Sequence, residues 1–440
     1  MKYDNYHIFF DEKGPTKTIK PNKQDGYQFN WEGKSSDNVP VYLGIYVGIP
    51  EKQVTDINEE YISFEESMRK SIKSLQQVDE IKGKNVLKKG YVPFPKLKDD
   101  SLEFTNAFLD FMISRPDIYI HGVIPHKAQV VVQSRLQDWL YWLEDQGAGI
   151  VIDNIFYSLV KYLVTDDLKH KFRNILFDED AQTKKILDVL KKELQDFSER
   201  NKNIGNRAGQ VNFFNELVRI LKKYPVPYSM RQNDTFKYTF DQLTYGLELD
   251  LLTLNGTDYG TGKHRLFPDD DAPVDAFKEI EFLSVEDSVK SEDTPGVRMA
   301  DILAGLIAKI LVPLNRDLSR DKADLNNIKK LPKEWFEMTE LSLEVIKKLQ
   351  QLIFTRQYQI IHGIYGDHYI ALHSYVDFIS QFENVEEIKQ QKDIVNEFHN
   401  YLVSRLASYF RDILANVEMR HKMGFSSTRK AHETKMLKTW

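Results

Sequence analysis

The chain has no cysteine among its 440 residues. That absence excludes a disulfide framework, a thiolate zinc site, an iron–sulfur cluster and a cysteine nucleophile. It also suits a reducing compartment. Long hydrophobic runs are missing too. The longest apolar stretch, 302–314, is broken by Lys309 and falls short of the roughly 20 residues a membrane helix needs. The opening Met1-Lys2-Tyr3-Asp4-Asn5-Tyr6-His7 lacks the pattern of a signal peptide. The expectation is a soluble, cytoplasmic protein with no membrane partner. Neither sign of charge dominates, with 60 Lys and Arg against 66 Asp and Glu and a net charge of −6. The chain as a whole is therefore no polyelectrolyte partner for nucleic acid. A metal-dependent nuclease, however, needs acids at its centre and bases only along a groove.

What is present is an ordinary globular balance, 41 % hydrophobic and 29 % charged, in a length that suggests two or three domains. His7-Ile8-Phe9-Phe10 reads as a first strand, stopped at Asp11-Glu12-Lys13-Gly14-Pro15. Residues 41–49 and 118–124 read as further strands, each closed by a proline, with helices at 59–78 and 102–113. A helical insertion is expected around 133–223. Pro225 to Arg231 reads as extended, with Asp234 at its exit before a helix at 240–252. Residues 255–273 read as a glycine-containing loop that ends near Asp269-Asp270-Asp271, and 279–285 as a half-buried strand. Thr294-Pro295 marks the start of a helix that Pro313 should end. From 333 to 419 the pattern is helical, with no convincing strand. The expected organisation is thus an α/β domain over 1–315, an all-α domain over 330–420 and a basic tail over 421–440.

Four acids share a placement. Asp11, Asp234 and Asp287 follow strands, and Asp301 lies in the first turns of the helix begun by Thr294-Pro295. Carboxylates at strand exits, joined by one from a neighbouring helix, can converge on one crevice of a sheet. Clustered carboxylates need cations, and hard oxygen donors select Mg²⁺ or Mn²⁺ over zinc. Two such ions can activate water and stabilise a leaving oxygen in phosphodiester hydrolysis. Ordinary capping accounts for the same spacing, with Asp301 paired to Arg298 one turn away. Gly305, one turn past Asp301, allows the helix to approach the sheet closely.

Ile8-Phe9-Phe10-Asp11-Glu12-Lys13-Gly14 resembles the Asp-Glu-Ser-Gly opening of a bacterial domain of unknown function, family three-eight-zero-zero. Asp287-Ser288, followed by Val297-Arg298-Met299-Ala300-Asp301-Ile302-Leu303-Ala304-Gly305, resembles its closing Asp-Ser pair and Gln-Leu-Ala-Asp helix. The resemblance implies a mixed α/β, ribonuclease H-like fold and a metal-dependent nuclease met in bacterial defence settings. It implies Asp11, Glu12, Asp287 and Asp301 as metal ligands, and Asp11, Asp234 and Asp301 as catalytic acids. Lys13 stands where the family has Ser and Arg298 where it has Gln, which places both, with Lys290, among candidate substrate contacts. RNA or DNA is then the partner, and the C-terminal helical region could bind a protein or support an oligomer. A second expectation is a regulatory subunit of a defence assembly that keeps the fold without catalysis.

Weaker signals are set against plainer readings. Lys82, Lys84, Lys88, Lys89, Lys96 and Lys98 form either a solvated loop or a phosphate contact, and so does the tail after Arg420. Arg356 and His362 have the spacing of small helical ribonucleases, which chance alone supplies in such a composition. His362, His368 and His373 do not share a helical face, against a zinc site. Gly262-Lys263-His264 lacks the Ser or Thr of a phosphate loop, and no nucleophile elbow is present.

Overall fold

In the computed structural model, the described residues are 5–14, 40–87, 90, 92–148, 152–165, 171–178, 180–227, 244, 246–247, 250–251, 264–270, 272, 274–278, 280, 283–286, 289–319, 328–355 and 359–422. Six strands among them form one sheet: β1 (Tyr6–Lys13), β2 (Leu43–Pro50), β3 (Tyr119–Ile124), β4 (His264–Pro268), β5 (Leu283–Val285) and β6 (Gln359–His362). The order across the sheet is β5-β4-β1-β2-β3-β6. Pairing is antiparallel for β1 with β2 and β2 with β3, and parallel for β1 with β4, β4 with β5 and β3 with β6. Only β2 therefore runs against the rest.

Both faces of this sheet are covered, which is why β2 reads as a continuous apolar run and is buried at all eight positions. The two-residue period of β1 divides its side chains between the faces. Phe9 enters the large core that holds the apolar side of helix α9 (Pro295–Asp317), while Ile8 and Phe10 join Tyr42, Tyr46 and Phe277 on the other side. Helix α9 lies directly on β1. A Cβ at Gly296 would come within 2.2 Å of the Phe9 ring, so only glycine lets the helix start there.

The other helices are α1 (Val54–Ser71), α2 (Gly83–Val86), α3 (Asp99–Ile113), α4 (Lys127–Asp145), α5 (Ile152–Thr165), α6 (Lys171–Leu176), α7 (Thr183–Asn201) and α8 (Ala208–Lys223), followed after α9 by α10 (Glu340–Leu349), α11 (Asp367–Ser380), α12 (Val385–Gln390) and α13 (Ile394–Lys422). Helices α4 to α8 enclose a second core, from Ala128 to Val226, which Tyr365 joins from beyond β6. The region after 340 is helical apart from β6.

Several expectations change. Residues 359–362, read as helical, extend the sheet as β6. The large core runs from Phe9 through Trp335, Tyr375 and Phe398 to Leu402, so the expected division between 1–315 and 330–420 does not separate two cores. Pro313 lies inside α9, which continues to Asp317 because Leu311 and Leu314 are buried on either side of it. Thr294 is the N-cap residue, but its hydroxyl makes no capping bond. Part of the expected 255–273 loop is strand β4. Asp234, Asp287, Lys88, Lys89, Arg356, the 255–263 segment and the tail from 423 lie outside the described residues. No helix among the described residues is long and apolar enough to cross a membrane.

Candidate carboxylate centre

The parallel pairing of β1 with β4 builds the first half of the site. Phe10 stands opposite Pro268, so the next residues, Asp11 within β1 and Asp269 just past β4, lie side by side. Strands in a sheet are about 4.8 Å apart. The backbone N–H of Asp269 donates to the Phe10 carbonyl at 3.1 Å, and a bridge to Val289 holds the other edge of the segment. The acid after β4 is Asp269; Asp234, expected after 225–231, lies outside the described residues. The signal lay in Leu266-Phe267-Pro268-Asp269, a short apolar run ending at proline and an acid, but the neighbouring glycines and the Asp triplet gave it the composition of a loop.

Helix α9 brings the third acid. Asp301 is buried two turns after the Thr294 N-cap, beside apolar neighbours Ala300 and Ile302. Its Oδ1 accepts the Lys13 ammonium, and its Oδ2 accepts the Gly83 backbone N–H at 2.6 Å. Glycine at 83 is a matter of space: a Cβ there would stand 3.1 Å from the Asp301 carbonyl oxygen. Gly305 serves the same contact. A Cβ at 305 would meet Leu87 at 3.0 Å, the Gly83 Cα at 3.7 Å and the Lys13 side chain of β1 at 3.9 Å, so its small size chiefly admits the 83–87 turn.

Electrostatics tie the three acids together. Burial pushes the Asp11 carboxyl well above the usual range; Asp301 and Asp269 push it further, while Lys13 opposes them. Asp269 is raised by burial, with smaller pushes from the charges of Asp270 and Asp301, against the Asp270 backbone N–H and the pull of Lys82. Burial alone would weaken the charge on Lys13, but Asp301, Asp11 and Asp269 overrule it and its pKa is raised. Lys82 behaves alike: burial opposes its charge, while Glu80, at 3.1 Å, and then Asp269 and Asp301 favour it.

The remaining expected site residues lie elsewhere. Glu12 alternates to the opposite face of β1, where it accepts the Tyr42 hydroxyl at 2.7 Å, so the pleat keeps it from sharing an ion with Asp11. Arg298 is no partner of Asp301. It is buried in a two-pronged pair with Glu65 at 3.0 and 3.1 Å, and it donates to the carbonyls of Ser291 and Glu292 at 2.7 and 2.9 Å. With its donors so used, it is a structural tie between α9 and α1. Lys290 is exposed at the turn leading into α9. The three histidines do not meet: His368 reaches the Ile124 carbonyl at 3.2 Å, His362 the Gly363 carbonyl at 2.7 Å, and His373 stacks on Phe354.

As the side chains stand, no group of three His, Cys, Asp or Glu residues among the described residues is arranged to hold a metal ion. The donors at the centre are nevertheless hard, anionic oxygens of the kind Mg²⁺ and Mn²⁺ take. A dication would relieve the repulsion that Asp11 carries, and Asp301 also accepts the Lys13 ammonium. No family model, curated protein or solved structure matches this chain.

Proposed function

We propose that the chain is a ribonuclease H-like, metal-dependent nuclease whose centre is Asp11, Asp269 and Asp301. One observation carries the reading. A sheet with β2 alone reversed delivers acids from the ends of β1 and β4 to the same edge of the helix that follows β5. That placement supports a ribonuclease H-like reading of the sheet. Asp11, Asp269 and Asp301 would hold Mg²⁺ or Mn²⁺, which when bound supplies an activated water and neutralises the leaving oxygen. The chain's own contributions are positional. Gly83 N–H orients Asp301, the Phe10–Asp269 bond fixes the backbone after β4, and Lys82 offers a cation at the rim for a phosphate of RNA or DNA. The test is cleavage of labelled RNA, DNA and hybrid substrates with Mg²⁺ or Mn²⁺ by the wild type and Asp301→Asn. Metal-dependent cleavage lost in the variant supports the reading; no cleavage of any substrate by the wild type removes it.

The ion pair of Lys13 with Asp301 favours a second reading, a subunit of a defence assembly that keeps the fold without catalysis. That reading gains if the wild type neither cleaves nucleic acid nor gains thermal stability from either ion.

A further inference from the structure

We infer that the outer face of α13 is an interface between two copies of this chain, with the two helices paired antiparallel across a two-fold axis. The inference is independent of the carboxylate centre and of the activity proposed for it.

Helix α13 is apolar on two sides. Ile394, Phe398 and Leu402, at helical spacing, face the large core. Val403, Ala407 and Phe410, four and then three residues apart, form a second stripe turned away from that core. Val403 is 44 % exposed and Phe410 38 %, with Ala407 exposed between them. A helix packed on one face normally carries polar residues on the other, so an uncharged second stripe marks a contact surface. The helix also continues well past Leu402, the last member of the large core. It reaches Lys422, about 30 Å further at the usual helical rise.

Residue size along the stripe selects both the occupant and its direction. Ala407 and Phe410 are a small and a large residue on neighbouring turns. In an antiparallel pair each Phe410 falls on Ala407 of the second copy, and the two-fold axis makes both contacts at once. A parallel pair would set Phe410 against Phe410 and Ala407 against Ala407, crowding one layer and leaving a gap in the next. Antiparallel pairing also aligns the helix dipoles favourably. It brings the exposed Arg411 towards Ser404 of the second copy and away from its own like. The Tyr157 ring of α5, 5.5 Å away between centroids, already braces Phe410, so docking orders it at little cost.

The test is the mass of the full chain in solution by sedimentation equilibrium. It compares the wild type with Val403→Glu, Ala407→Glu, Ala407→Phe, Phe410→Ala and the double variant Ala407→Phe/Phe410→Ala. The wild type should be a dimer. The two glutamate variants place charge at exposed positions and should be monomers with an unchanged near-ultraviolet circular dichroism spectrum. Ala407→Phe and Phe410→Ala should each weaken the dimer about tenfold or more, the scale of a lost central aromatic contact. The double variant should recover most of that affinity, because it exchanges the ring and its hole without changing how they pair. If Phe410→Ala disturbs the packing of Tyr157, the glutamate variants carry the test. A wild type that is monomeric at high micromolar concentration, or that gains mass only with added single-stranded oligonucleotide, would overturn the inference. So would a dimer that persists in both glutamate variants, or a folded double variant no tighter than the single ones.

Discussion

Asp269 and Phe10 are joined by a 3.1 Å backbone hydrogen bond, and that bond seats an acid from the end of β4 next to Asp11. The two residues are remote in sequence, yet the parallel register makes Asp269 the lateral neighbour of the β1 acid. Asp270, one residue on, is exposed. Asp269→Asn should therefore lower metal-dependent cleavage by about a hundredfold or more, the scale on which one electrostatic partner at a reacting centre acts. Asp270→Asn should leave it within about twofold. Loss of one negative charge should also hold or raise the metal-free melting temperature. Initial rates with excess Mn²⁺ and a melting curve for both variants decide the matter, and equal activity in the two would remove Asp269 from the site.

Arg298 and Glu65 supply a stability prediction. Both side chains are nearly inaccessible, and the pair joins α9 to α1. Removing one partner of a buried pair leaves the other uncompensated, which costs about 3–5 kcal/mol. Glu65→Gln should lower unfolding free energy on that scale in a urea titration, with per-molecule activity of the folded protein unchanged. A substrate-binding role for Arg298 would show the opposite signature: raised KM in Arg298→Lys with little loss of stability.

The C-terminal helices should not be separable from the rest. Trp335 and Tyr375 share their core with Phe9 and Val47, and β6 pairs with β3. A fragment ending at residue 330 would expose that core and the outer side of β3. It should aggregate or unfold without a cooperative transition, judged by calorimetry and near-ultraviolet circular dichroism. A sharp melt comparable with that of the full chain would show two independent cores after all.

These elements were unequally legible in the sequence. β1, β2 and β3 announce themselves as aromatic and β-branched runs halted by turn residues or proline; Asp11 follows from β1, and Asp301 from the helix start at Thr294-Pro295. β6 did not, because Gln359-Ile360-Ile361-His362 is four residues long inside a helical context and gains its conformation from β3. β4 is five residues bounded by loop-forming composition. Arg298 pairs with Glu65, 233 positions away, where local spacing suggested Asp301. In the sequence Lys13 is a candidate substrate contact, and its pairing with Asp301 spans 288 positions. Contacts of that range depend on register and helix placement, which single-residue patterns do not encode.

His368 gives the pH dependence a sign. Its ring is buried against His126, 5.5 Å between centroids, and burial lowers its pKa to about 4, with His362 adding to the shift while the Ile124 carbonyl and Asp367 oppose it. His126 is lowered well below its usual value by burial, by His368 and by Lys127. Above about pH 6.5 both rings are neutral folded or unfolded and add nothing to the pH dependence. As pH falls below that value, the unfolded chain takes up protons that the folded chain refuses, so folding is penalised progressively until the folded pKa is reached. For His368 alone the loss amounts to about 3 kcal/mol between pH 6.5 and 4. Unfolding free energy measured across that window should therefore fall with pH in the wild type. His368→Gln removes the titrating group, so its curve should be shallower over the same window even if its stability at pH 7 is lower. Parallel curves for the two proteins would assign the acid sensitivity to other groups.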